Sequence, residues 1–347
     1  CMEEMSRTSL SKGESSELLD LLQNDNAHVD NVNVGRYSPT SPRGLIATRD
    51  LQPGEVIVSV PSHLAINLGT VDVTAAENAV QLLREKYRAR RNRHAAYLAS
   101  LPRQGELVTG ETMSEEALNG LHCPELVEST RARRRHTAAT YAQLAARMSQ
   151  LFSGHQVEEG EFRHATALVS SRALALSSAS SGHQVKFMVP LIDMANHKEN
   201  STHHVRQGLE GFELVAGEAI RGGEEIHISY GSHRNDATAM HYGFLLPDQP
   251  PALFSTDARL AMKGLDTKDQ VIAARAELRA LLDSLPSSVE DDLHRVQQME
   301  ASANESATST AFESGDLLVT YTNIARKQAM LHEISLMDAS LNAHDEL

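Results

Sequence analysis

The order of textures along this chain limits its fold more than any single motif, because runs of strand and runs of helix point to different layer architectures. Strand texture fills Val32 to Leu68, where Gly35, Pro39, Pro42 and Gly44 punctuate short apolar runs. Within it, Leu51-Gln-Pro-Gly54 reads as a turn, and the β-branched run Val56-Ile-Val-Ser-Val60 stops at Pro61. Residues 72–176 then read as helical. Glu77 to Leu101 and Pro124 to Phe152 carry Ala, Leu, Arg and Glu at helical spacing, with Pro102 and Gly154 as stops, and Phe162 to Leu176 repeats the pattern. Strand texture returns in Val185–Val189, Phe212–Val215 and Glu225–Ser229, the last preceded by a Gly222-Gly223 turn. From Phe254 onward the chain is helical again. Thr267 to Leu285 is amphipathic, Ser287-Ser-Val-Glu290 spells a capping box for a second helix, and Leu317 to Leu341 makes a third. Ala301 to Gly315, rich in Ser, Thr, Ala and Glu, reads as a mobile loop, and residues 1–30 as a peripheral helical lead-in. The result is an α+β chain: β, a large helical insertion, β, then an all-α tail, with no internal repeat.

Composition narrows the function. At 347 residues the chain is comfortable for two domains. No apolar run approaches the roughly 18 residues of a membrane span, and the polar N-terminus shows no apolar signal region, so neither membrane nor secretion is expected. Only Cys1 and Cys123 are present, too few for a disulfide framework or a Cys-rich zinc cluster, and a reducing compartment fits. A net charge of −14 argues against nucleic acid. The basic stretches Arg84–Arg93 and Arg131–Arg135 read as solvated helix faces. Phe254 to Leu347 carries 16 acidic and 8 basic side chains, a net of −8, which suits either a docking surface for a Lys-bearing partner or plain solubility. Neither nucleotide-binding glycine fingerprint is present, and Gly-x-Ser-x-Gly is absent. His203-His204 near His197 and Asp193 match no zincin spacing, so no metal is expected.

Four segments, in order, carry the strongest signal. They are Pro42-Arg-Gly-Leu-Ile-Ala-Thr-Arg-Asp-Leu-Gln-Pro-Gly-Glu-Val-Ile-Val-Ser-Val-Pro61, Val169-Ser-Ser-Arg-Ala-Leu174, Val189-Pro-Leu-Ile-Asp-Met-Ala-Asn-His197, and Gly223-Glu-Glu-Ile-His-Ile-Ser-Tyr-Gly231. Asn235 and His241-Tyr-Gly-Phe244 follow the last. Together they resemble the SET domain, in the branch containing the RuBisCO large-subunit lysine methyltransferase and the actin-histidine methyltransferase. The resemblance spans roughly Val32 to Leu341 and implies a β-rich SET fold over 31–250, with a helical insertion at about 72–165. A helical substrate-binding domain over 251–347 would follow.

What the resemblance implies can be set beside the bare chemistry. Taken alone, Arg43-Gly44 is a tight turn where backbone can approach a ligand, since Gly has no Cβ. In the family this turn holds S-adenosylmethionine, a role that falls here on Ser41, Pro42, Arg43 and Gly44, although relatives are often richer in glycine at this point. Asn196 and His197 resemble the cofactor-contacting pair, Arg172 the arginine that meets cofactor and substrate channel, and Asp193 a wall residue near the acceptor amine. Tyr230 matches the catalytic tyrosine, which also touches cofactor and substrate. Tyr242, on the substrate side, and Phe244, on the cofactor side, match the aromatics that close the channel. The physics agrees with such a phenol. An acceptor lysine, with an ordinary pKa near ~10.4, must lose its proton before it attacks a sulfonium methyl group. Burial beside a positive sulfonium favours the neutral amine, and a phenol can orient that amine without becoming charged.

Histone-type SET enzymes commonly add Cys-rich zinc segments after the tyrosine, whereas this chain has no Cys after Cys123. Arg172 is followed by Ala173-Leu174, as in lysine-directed relatives, while the histidine-directed branch has polar side chains there. The expectation is a monomeric protein-lysine N-methyltransferase acting on a non-histone protein inside the cell, in cytoplasm, with nucleus or plastid open. A protein-histidine methyltransferase and an inactive SET-like binding module are the alternatives.

Overall fold

The computed structural model describes residues 14–37, 42–88, 93–177, 184–208, 210–246, 254, 257, 264–305 and 315–345. In chain order the elements begin with α1 (Glu14–Asn24), β1 (Val32–Arg36), β2 (Arg43–Ala47), β3 (Val56–Pro61), β4 (Ile66–Thr70), α2 (Ala75–Tyr87) and α3 (Ala95–Ser100). Next come α4 (Glu115–Asn119), α5 (Pro124–Leu144), α6 (Met148–Leu151), α7 (Glu159–Arg172), β5 (Leu174–Ser177), β6 (Gln184–Met188) and β7 (Asn196–His197). The last are β8 (His204–Gln207), β9 (Gly211–Val215), β10 (Glu225–Ile228), α8 (Asn235–Tyr242), α9 (Lys268–Asp283), α10 (Val289–Glu305) and α11 (Asp316–Asp345). Two compact units result: Cys1–Pro102 with Ala138–Ser232, and Arg103–Thr137 with His233–Leu347.

The first unit holds three small sheets, ordered β1-β2-β10-β7, β3-β9-β8 and β4-β6-β5. In the first sheet β2 pairs antiparallel with β10, setting Leu45 opposite Ile226 and Ile46 opposite Glu225. β10 then pairs parallel with β7, with His227 opposite Asn196 and Ile228 opposite His197. β3 fully buries Ile57, Val58 and Val60 and leaves Ser59 half-buried, with an irregularity in its pairing to β9 between Val56 and Val58. α2 opens with a complete capping box, Thr74 accepting from the Glu77 amide while Glu77 reaches back.

Three expectations need correction here. α1 is not peripheral: Leu18 and Leu22, one helical turn apart, are fully buried. Helical texture does not continue to Leu176, since α7 stops at Arg172 and Leu174–Ser177 is a strand on β6. Pairing with an adjacent strand overrides the weak helical preference of Leu174-Ala-Leu-Ser177. The third concerns the Arg131–Arg135 stretch, which lies in the second unit and is a solvated face only in part, with Arg135 exposed. Arg134 is buried and donates to the carbonyls of Gly110 and Met113 and to Glu115 Oε1, at 2.6–2.7 Å.

In the second unit, Met113, Ala117, Leu118, Leu121 and Val127 pack with Ala239, Met240 and Val319, so the stretch after Pro102 and α8 share a core with α11. α11 also packs its Ala329, Met330 and Ile334 on Leu278 of α9. Two cations on α11 are almost wholly buried. Arg326 makes a bidentate pair with Asp257, 2.9 Å on each side, and Lys327 donates to Asp292 (2.5 Å), Ser287 Oγ (2.9 Å) and the Ser288 carbonyl (3.4 Å). The capping box of α10 is shifted by one residue from its expected register. Ser288 and Asp291 form it, while Ser287 is drawn to Asp292 and Lys327. α10 also runs on to Glu305, into the stretch expected to be a loop, and 306–314 lie outside the described residues.

Candidate active site

Most of the expected site residues lie in the first unit, where β2, β7 and β10 lie side by side. Gly44 sits in β2 with Asn196 of β7 and Glu225 of β10 packed onto it. A Cβ at Gly44 would lie 2.6 Å from Asn196 Nδ2 and 2.6 Å from Glu225 Oε1, so any larger residue must push one of these side-chain ends aside. The Asn196 amide donates to Glu225 Oε1 at 2.7 Å and to the Arg43 carbonyl at 3.4 Å, tying the 43–44 turn to the 196–197 strand. Glu225 Oε2 in turn stands 3.5 Å from His227 Nε2. Burial holds the His227 imidazole below its usual range, against the pull of Glu225. Pro42 is exposed, and Ser41 lies outside the described residues.

The stretch leading into β7 is strained. Leu191, fully buried, has φ 68° and ψ −49°, and the Ile192 amide donates to the Pro190 carbonyl at 2.8 Å. This is a γ-turn in its rarer, strained hand, and such turns persist only where packing enforces them. It delivers Asp193 into the interior, where its side chain is 0% exposed. Oδ2 accepts from the Tyr97 hydroxyl at 2.5 Å and lies 3.8 Å from Arg172 Nη1. Oδ1 has no hydrogen-bond partner among the described residues. Burial pushes the Asp193 carboxyl up, while Arg172, the Tyr97 hydroxyl and Arg43 draw it back. Burial and the neighbouring carboxylate together hold the Tyr97 phenol well above its normal range. Arg172, the last residue of α7, donates to the Asp193 carbonyl at 3.1 Å. Arg43 reaches to α3, donating to the Ser100 carbonyl at 2.6 Å.

Tyr230 follows β10 and closes the arrangement. Its hydroxyl donates to the Ala195 carbonyl at 2.8 Å, and its backbone amide donates to His197 Nδ1 at 3.0 Å. The His197 and Tyr230 rings lie 5.1 Å apart. Because Nδ1 accepts, the proton of a neutral His197 ring sits on Nε2.

Tyr242 and Phe244 fall in the second unit. Their rings are 5.9 Å apart, and Tyr242 also lies 5.5 Å from His233. Burial raises the Tyr242 phenol, and burial with the adjacent Arg133 guanidinium brings the His241 imidazole down to about 4. Gly243 between them has φ +80°, and a Cβ there would lie 2.1 Å from the Val108 carbonyl.

The structure therefore brings Arg43, Gly44, Arg172, Asp193, Asn196, His197 and Tyr230 into one unit, linked by named contacts. Sequence reasoning missed two members. Glu225 stood inside a quoted motif with no role given to it. Tyr97 was passed over as part of a helix, although a tyrosine in Ala95-Ala-Tyr-Leu-Ala-Ser100 is conspicuous in a chain with only 4% aromatics. Among the described residues, no three His, Cys, Asp or Glu side chains converge as a metal site would require, and no helix is long and apolar enough to cross a membrane.

Comparison with known proteins matches this geometry to a family. A structure described as the SET domain of LSMT bound to methyllysine and AdoHcy superposes with a TM-score of 0.68 at 18% identity, covering 98% of this chain and 94% of that one. Rubisco LSMT bound to AdoMet gives 0.65 at 18% identity, covering 97% and 94%. Actin-histidine N-methyltransferase of Dasypus novemcinctus is 25% identical over 269 residues, 71% of this chain. The chain spans 44% of the length of that curated relative. The likeness to the LSMT structures establishes the α+β fold that the order of textures had suggested. Residues 42–231 match the SET domain itself, which runs from the Arg43-Gly44 turn to Gly231, and the chain belongs to the SET-domain family.

Proposed function

We propose that this chain is a protein N-methyltransferase that takes its methyl group from S-adenosylmethionine and places it on a lysine of a non-histone protein. The observation that carries this reading is Tyr230. Its hydroxyl is pinned to the carbonyl of Ala195 and its amide to His197, on either side of Asn196. A phenol that donates its proton to a carbonyl turns its lone pairs toward an incoming N–H, which is what orienting an acceptor amine requires.

The residues suit the cofactor. Glycine at position 44, packed under Asn196 and Glu225, keeps the 43–44 backbone close to β7. Pro42, Arg43, Gly44, Asn196, His197 and Arg172 would hold S-adenosylmethionine, with Ser41 assigned to the same turn by resemblance. When bound it supplies an electrophilic methyl group on sulfur. The protein then has to align, exclude water and keep the acceptor uncharged. In-line displacement rewards alignment above all. Arg172 and Asp193 border the acceptor, and Tyr230 fixes its direction. The aromatic roles of Tyr242 and Phe244 rest on resemblance alone. Residues 251–347 are proposed to dock the protein partner, consistent with their acidity and a basic target.

Lysine is favoured because the residues after Arg172 are Ala173 and Leu174, and Leu174 already belongs to β5 against Phe187. Neither offers a polar group to an imidazole. A histidine acceptor is the second reading, supported by the name of the curated relative. Calorimetry with S-adenosylmethionine, followed by label transfer to a native lysate, tests the proposal. Tyr230→Phe should leave cofactor binding nearly intact and cut transfer by about 10²-fold, the scale of a misaligned reacting pair. Mass-spectrometric mapping separates lysine from histidine. A wild-type protein that binds no cofactor would eliminate both readings in favour of an inactive binding module.

A further inference from the structure

α3 makes contact with both sides of the proposed cofactor site. Tyr97 and Ser100 are three residues apart and so share a face of this short helix. From that face the Tyr97 hydroxyl donates to Asp193 Oδ2, and the Ser100 carbonyl accepts from Arg43. The Ser100 hydroxyl donates to the Tyr97 carbonyl at 2.7 Å, which stiffens the pair internally. Tyr97 itself is fully buried.

We propose that Tyr97 is a positioning residue of this enzyme: its hydroxyl holds the Asp193 carboxyl on α3 and off the Arg172 guanidinium, which leaves Arg172 in place for the cofactor. The inference rests on the cofactor site proposed above. The groups facing the Asp193 carboxyl are Tyr97 from α3, Arg172 from α7 and, farther off, Arg43 from β2. Arg172 is 3.8 Å away, too long for a direct hydrogen bond. Without the Tyr97 hydroxyl, the carboxyl can rotate about its terminal torsion, which is soft, and close onto Arg172. That movement would turn Arg172 out of position. The γ-turn at Leu191 fixes the backbone, so this one hydroxyl decides where the two oxygens point.

The test is S-adenosylmethionine binding by calorimetry across pH for wild type, Tyr97→Phe, Asp193→Asn and the double variant, with melting temperature as a folding control. Tyr97→Phe should weaken binding about tenfold, the worth of a hydrogen bond to a charged group. The double variant should bind no more weakly than Asp193→Asn. The Tyr97 bond favours the ionised carboxyl, so removing it should make affinity fall at higher pH on acidification than in wild type. Ser100→Ala, which only loosens Tyr97, should cost about threefold in the same direction and serves if Tyr97→Phe does not fold. Wild-type affinity and pH profile in the variants, or losses that simply add, would overturn the proposal. A wild type that binds no cofactor would sink both this and the functional reading. Binding by wild type with indifferent variants would sink this one alone.

Discussion

Asp193 in the first unit and Lys327 in the second are buried to the same degree and treated in opposite ways. The Lys327 ammonium has three donors, and three acceptors meet them: Asp292, Ser287 and the Ser288 carbonyl. Asp193 uses one oxygen on Tyr97 and leaves the other without a hydrogen-bond partner among the described residues, at the end of a strained γ-turn. A buried polar group is costly unless it is matched. A matched one therefore belongs to the scaffold, whereas Asp193 is only half-matched among the described residues, as Arg326 is at Nη1 in the second unit. The contrast is between a buried charge that ties helices together through three acceptors and one that is held beside the proposed cofactor site by a single hydroxyl.

Four substitutions can break or sharpen that contrast. Lys327→Met should have the largest effect. It strands Asp292 in the interior and should cost about 3–5 kcal/mol in urea unfolding, with little change in cofactor affinity of the protein that remains folded. A loss below about 1 kcal/mol would show that the triad is not scaffold, since breaking a buried pair ordinarily costs several times that. Gly44→Ala should behave in the reverse sense. The added methyl must push Asn196 or Glu225 aside, so S-adenosylmethionine affinity should drop at least about tenfold, about 1.4 kcal/mol, while the melting temperature moves little. Unchanged affinity would remove Asn196 from the site. The smallest effect belongs to the α10 cap: Ser288→Ala should cost about 1 kcal/mol of stability by denaturant titration. Ser287→Ala should act instead through the Lys327 triad, so coupling to Lys327→Met in a double-mutant cycle tells the two serines apart.

Local signals explain what was legible. β3, β6, β9 and β10 begin or end within a residue or two of their expected positions because each is a short β-branched or apolar run bounded by turn residues. Capping boxes at Thr74 and Thr267, which the sequence reading did not name, pair side chains three residues apart. Ser287 misled because two serines stand in a row and only the distant Lys327 decides which one caps. Leu174–Ser177 misled for the same reason, since its strand state comes from β6. The site motifs were visible as motifs, whereas nothing local assigns a role to Tyr97 or Glu225. Tyr97 acquires its role only when α3 meets Asp193, and Glu225 only when β10 lies beside β2 and β7. Arg134, placed on a helix surface by its charge, is buried because the 110–115 stretch folds over it.

The pairing of β2 with β10 also sets a schedule for the ribosome. Leu45 and Ile46 are made early, but their partners Ile226 and Glu225 emerge only after the rest of the first unit and part of the second. At synthesis rates of about 5–20 residues per second, roughly ten to forty seconds separate Gly44 from Tyr230. Throughout that interval the β10-facing edge of β2 is an unpaired template of the kind that seeds aggregation. Nascent chains cut short before Tyr230 would carry this exposed edge permanently, which makes them natural clients for chaperones that bind extended strands.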